Sequence, residues 1–293
     1  MELLRYLRLP HRVLQRVSPN PISPHEPPRI HAGVFLGAIG SIRGLRLNIH
    51  HPNHSRIHML TTRLKDDNWA LHQIAERQDT PGSLIKGTMP KDGYLAMLAQ
   101  QYLVNNAFDQ ALQSILPEHP TIAELILDEQ LLTPYIAEDL GYFGVDPAIA
   151  QPAPGTQRFI DHICAHKDRP LHLLGLHYVR LGACNGNSFV ARVVRKAYAL
   201  DDPMKGTRYL DPFGPTQRKK WMAFKSGLDA MELNQDQQDE VFAGTRAAYV
   251  LAINLDLPAY QSDEQLLAEH GKTLDQRAFV EGHSVHVQPE LEG

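Results

Sequence analysis

The stretch from Met59 to Leu257 predicts an all-α, multi-helix bundle. Three observations carry that prediction. Apolar residues recur at helical spacing through long segments, and proline and glycine punctuate those segments rather than interrupt them. No alternating strand pattern or hairpin turn of comparable strength competes with them.

Taken in order, a first helix is expected over about Leu60–Gln78, ended by Thr80-Pro81-Gly82. A second runs over Lys91–Ile115, with Leu95, Leu98, Tyr102, Val104 and Phe108 near helical spacing and Pro117 and Pro120 as stops. Shorter helices fill Ile122–Tyr142. Thr156–Ala165 follows, and then a long helix over Leu171–Leu200, broken by Asp202-Pro203. Beyond a loop through Pro212 and Pro215 come Gln217–Met231 and Gln235–Leu257. Asn234 and Gln237 have the spacing of a capping box at the start of the last helix. Residues 258–293 read as a polar tail.

Residues 1–58 have a different character. They hold seven of the 21 prolines, seven of the 16 histidines, and eight Arg against only Glu2 and Glu26. An Arg-rich, acid-poor, Pro-broken stretch matches an organellar transit peptide, and it also matches translated DNA upstream of a true start at Met59. The expectation favours the second reading, or a disordered basic arm, over a metal site at His50, His51, His54 and His58. Residues 59–293 carry a net charge of −10, which repels a phosphate backbone and argues against a nucleic-acid partner. No apolar run approaches the roughly 18 residues of a membrane span, so no stable membrane insertion is expected. Two cysteines, Cys164 and Cys184, exclude a disulfide scaffold or Cys-rich metal site and suit a reducing cytoplasmic setting; both read as core.

Three constellations carry chemistry. Lys65 and His72 are seven residues apart, which on one helix places a cation and an imidazole on one face about 10 Å apart. Alone, such a His is more often a hydrogen-bonded or surface residue. Gly182 and Gly186 are i, i+4 on the long helix, each costing it about 1 kcal/mol relative to Ala. Either a flat ligand approaches the backbone there, or a second helix crosses closely. Arg218-Lys-Lys-Trp-Met-Ala-Phe-Lys225 is a dense cationic patch, readable as an anion clamp or as a solvated face.

Together these segments resemble the heme oxygenase family, and its bacterial branch in particular. Arg63-Leu-Lys65…His72 is similar to the family's opening helix, and Gly182-Ala-Cys-Asn-Gly186-Asn-Ser-Phe-Val to its glycine-containing distal helix. Gly206-Thr-Arg-Tyr-Leu-Asp, Lys220-Trp-Met-Ala-Phe, Leu228-Asp-Ala-Met-Glu-Leu, Lys91-Asp-Gly-Tyr-Leu and Glu138-Asp-Leu-Gly-Tyr-Phe-Gly144 follow in family order. The resemblance implies a heme oxygenase-like bundle with His72 as proximal iron ligand and Lys65 on a propionate. It also implies Gly182 and Gly186 over the oxygen side, and Tyr178, Lys219 and Lys220 as propionate partners. Ala183 stands where animal enzymes carry Asp and bacterial ones Ser.

The implied reaction takes heme as both cofactor and substrate. O₂ and electrons from an external donor, a reductase or ferredoxin-type protein, open the ring to biliverdin, CO and Fe²⁺. Three alternatives stay open on the residues alone: a heme carrier without turnover, a non-heme iron oxidase, and a thiaminase-like enzyme with a nucleophilic Cys. The two enzyme alternatives need carboxylate-rich helices or an activated thiol, neither of which stands out.

Overall fold

A computed structural model describes residues 59–202, 205–271 and 274. The readings placed on residues 1–58 lie outside them. Eleven α-helices are present among the described residues, and no strand. They are α1 (Leu60–Asp66), α2 (Trp69–Glu76), α3 (Asp79–Ile85), α4 (Lys91–Ile115), α5 (Pro120–Ala123), α6 (Thr133–Tyr142), α7 (Pro154–Ala165), α8 (Pro170–Ala197), α9 (Gln217–Ala230), α10 (Gln235–Ile253) and α11 (Asp263–His270). The all-α expectation holds.

The opening helix is two helices. Asn68 turns its side chain back onto the chain, its Nδ2 donating to the Leu64 carbonyl at 2.9 Å, and adopts φ −106°, ψ 7° at the start of α2. A side-chain amide that competes with the backbone for its own acceptors ends the helix at that point. Lys65 and His72 therefore sit on successive helices, and the single-helix premise behind their spacing is corrected. Two further helices were not expected. Pro81 falls in the first turn of α3, where the missing N–H costs nothing. Helix α11 lies inside the supposed polar tail, opened by a Ser262–Gln265 capping box and anchored by the fully buried Leu266.

Elsewhere the boundaries agree closely. Helix α4 has the predicted limits, and α10 opens on the reciprocal Asn234–Gln237 box at 2.9 and 3.0 Å. Helix α8 ends at Ala197, past which Ala199 takes a left-handed φ of 52°. Two apolar clusters dominate the interior. One joins α4, α8 and α9 through Leu112, Phe108, Leu173, Leu176, Phe224 and Leu228, and the other joins α4 to α6 and the second half of α8 through Tyr94, Leu98, Ile136 and Leu140. Helices α8 and α10 cross at backbone contact. A Cβ on Gly175 would lie 2.1 Å from the Val241 carbonyl oxygen, and one on Gly244 would lie 2.0 Å from that of His172. Only glycine permits that crossing.

One buried ion pair ties α4 to α8. Arg180 donates to the Asp109 carboxylate and to the Gln130 carbonyl at 3.1 Å, both partners being nearly enclosed. Asp109 also accepts from the Thr133 backbone and hydroxyl. Removing one partner of such a buried pair costs about 3–5 kcal/mol, because the other charge is left uncompensated.

Candidate heme site

His72 lies on α2 between two aromatic rings. Trp69 stacks on it at 5.0 Å and 14°, and Tyr249 of α10 meets it edge-on at 5.7 Å. Its Nδ1 is sealed from solvent without a hydrogen-bond partner, with the Glu76 carboxylate 3.6 Å away. The side chain nevertheless keeps 35% of its exposure, so part of it reaches solvent. Burial, reinforced by Lys65 and opposed by Glu76, holds the imidazole below its ordinary pKa and therefore neutral near pH 7. Lys65 Nζ stands 5.9 Å from the Trp69 ring centre, so it shares this side of the molecule despite the helix break.

A chain of rings leads from His72 to the long helix. Tyr249 and Tyr178 are electrostatic neighbours, and burial raises both phenols well above their usual range. Tyr178 packs 5.1 Å from Trp221, and its hydroxyl donates to the Thr61 carbonyl at 3.5 Å. Trp221 in turn lies under Gly182, where an added Cβ would stop 3.4 Å from the indole. A Cβ on Gly186 would meet nothing within 4 Å. The backbone-contact crossing is at Gly175 instead; Gly182 faces the Trp221 ring of α9, and the backbone at Gly186 is open. Ala183, Gly186 and Phe189 are exposed along it.

The basic patch divides by helix face. Lys220 is bonded to Glu129 and lies over Phe213, and Lys219 is exposed. Lys225 instead stands 5.4 Å over the Trp221 ring, within the aromatic chain just described. The sequence places Lys225 in the cationic patch but singles out Lys219 and Lys220 there, and it does not mark Glu76, one helical turn from His72. The cysteines also separate. Cys184 is buried, its thiol pushed up to about 12, whereas Cys164 is exposed and not in the core as expected. A cavity of about 210 Å³ lined by Ile74, Arg77, Gln78, Asp79 and His270 includes none of the expected site residues.

A ferric or ferrous porphyrin asks for a neutral imidazole, an apolar slot thin enough for a flat ring, and cations at its acid edge. Three neighbouring buried atoms on one side, Asn68 Oδ1, Trp69 Nε1 and His72 Nδ1, lack partners. On the other, α8 is open to approach at Gly186. These residues fit the group.

Residues 58–256 match the family described as heme oxygenase. The chain belongs to the heme oxygenase family. A heme oxygenase of Porphyra purpurea is 26% identical over 202 residues, 67% of this chain and 84% of the relative. Among solved structures, the heme oxygenase of Leptospira interrogans superposes with a TM-score of 0.62 at 23% identity, covering 67% of this chain and 98% of that one. Heme oxygenase-2 of Synechocystis sp., solved with heme and NO, gives 0.62 at 20% identity, covering 75% and 90%. The reaction of this heme oxygenase is the oxygen-dependent degradation of heme. Among the described residues the one His, Cys, Asp and Glu group that could hold a metal is a histidine trio, with none of the carboxylates a di-iron centre needs. No described helix is long and apolar enough to cross a membrane.

Proposed function

We propose that heme is held with His72 on its iron and Gly182 and Gly186 over its opposite face, and is opened to biliverdin, CO and Fe²⁺. The observation that carries this reading is the pairing of a neutral, partly accessible imidazole with a backbone left open at Gly186, one turn past Gly182 on α8. Bound heme supplies the oxygen activation; the protein supplies orientation and exclusion of water.

Each side chain then has a defined task. Glu76, one turn from His72, accepts the Nδ1 proton once a small rotation closes the 3.6 Å gap, leaving Nε2 as the ligand atom. Lys65 and Lys225 pair with the propionates. Lys219 is exposed and can add to them, whereas Lys220 would first have to leave Glu129. Tyr178 keeps its proton at any physiological pH and so serves as a hydrogen-bond donor, not as a base. The distal face has no acid at Ala183, so bonds to the substrate side come from backbone and water. Electrons come from a separate reductase or ferredoxin-type donor.

The test uses the chain's own reporters. Both tryptophans, Trp69 and Trp221, lie in this site. Stoichiometric heme should therefore quench nearly all intrinsic emission as a Soret band grows in. Ascorbate or a reductase should then bleach the Soret band and yield bilin absorbance. Heme that binds without quenching, or a Soret band that survives reduction under air, would refute the reading.

A further inference from the structure

Helix α7 ends and α8 begins across a short turn, and three imidazoles meet there. His162 and His166 are one turn apart at the end of α7 and so share a face; His172 comes from the first turn of α8. Nε2 of His162 and Nε2 of His172 are 2.9 Å apart. The His166 ring centre lies 4.1 Å from that of His162 and 4.2 Å from that of His172. One ligand atom from each of the three lies within 4.8 Å of the other two. None of these residues belongs to the heme site.

Packing alone does not account for the trio. His172 is 3% exposed, yet its Nδ1 is buried without a partner, a loss of about 1–3 kcal/mol that a better core would avoid. His166 is oriented as a ligand would be. Its Nδ1 donates to the His162 carbonyl at 2.8 Å, and because a carbonyl only accepts, the free lone pair is on Nε2. Arg169, beside the trio, is balanced, since its Nε donates to Glu240 at 3.0 Å.

The geometry points to a binding site at the α7–α8 junction for one divalent first-row transition cation of the zinc class, held by His162, His166 and His172. Three imidazoles without carboxylate favour zinc, cobalt, nickel or copper over magnesium or calcium. Nitrogen–zinc bonds of about 2.0–2.1 Å in a tetrahedron separate the nitrogens by about 3.4 Å, so the close pair need open only by a fraction of an ångström. His162 and His166 are half-exposed, which leaves a fourth position for water or an outside ligand. The bound ion would staple α7 to the start of the helix that carries Gly182 and Gly186.

Cobalt titration of the full chain tests this. The background protein carries His50→Asn, His51→Asn, His54→Asn and His58→Asn, because that cluster can bind metal on its own. After chelator treatment, one equivalent of Co²⁺ should bring in visible d–d absorption, displaced by Zn²⁺, and Zn²⁺ should raise the melting temperature. His166→Ala, at a half-exposed helix end, and His162→Asn should each weaken binding at least tenfold and remove the band, with circular dichroism unchanged. If both variants give the background isotherm and spectrum, or the background protein shows no d–d band, the site does not exist.

Discussion

Gly175 and Gly186 lie on the same helix and do opposite things. At Gly175 the backbone of α10 sits where a side chain would be; at Gly186 nothing does. The first glycine holds the fold together, and the second faces open space. Residue type and helical spacing cannot separate these roles, because both positions look identical from within α8. What separates them is the partner each would meet.

The contrast can be broken most forcefully at the crossing. Gly175→Ala drives a methyl into the Val241 carbonyl and should cost on the order of 3 kcal/mol or more, read as a collapse of the melting transition or of soluble yield. Gly186→Ala should do the reverse. Filling open space with a better helix former should leave stability unchanged or raise it by about 0.5–1 kcal/mol, while single-turnover heme degradation falls at least tenfold. Equal melting losses at the two positions would erase the distinction.

Smaller effects sharpen it. Lys65→Ala and Lys225→Ala should each weaken heme several-fold, about 1 kcal/mol, and shift the bilin isomer mixture, while Lys220→Ala, whose partner is Glu129, should not. Chromatography of the products and a heme titration decide between them. Least in size is a pH effect at the residue before Tyr178. His177 is fully buried, its Nε2 donating to Gln130 Oε1 at 3.1 Å while Arg180 donates to its Nδ1, and burial followed by that guanidinium holds its pKa well below 6.5. Below pH 6.5 the unfolded chain takes up a proton that the folded ring refuses, so stability falls with pH through that range. His177→Gln should flatten the slope between pH 6.5 and 5 in thermal melts.

The sequence was informative where local chemistry decides. Helix α4 is bounded by Pro90 and Pro117, and α10 by its capping box, so their ends are written in a few adjacent residues. It was silent where a single side chain makes a tertiary choice. Asn68 folding back on Leu64 splits the opening helix without any Pro or Gly to announce it, and α11 has only Leu266 fully buried, too little for a periodic pattern. Within the proposed site, His72 and the glycine pair are candidates that the sequence offers by residue type and order. Lys225 was recoverable, since Gln217, Trp221, Phe224 and Leu228 define the inward face of α9 and Lys225 is four residues past Trp221. A run of like charges hid that periodicity.

The measurement closest to the central claim is the heme spectrum and single turnover of His72→Ala beside the parent protein. The account predicts that the variant still takes up heme within about tenfold of the parent, because ring burial and propionate pairing survive. It should lose the imidazole-ligated spectrum and form no bilin. A variant that keeps that spectrum and degrades heme at the parent rate would place the iron on another residue and contradict the account.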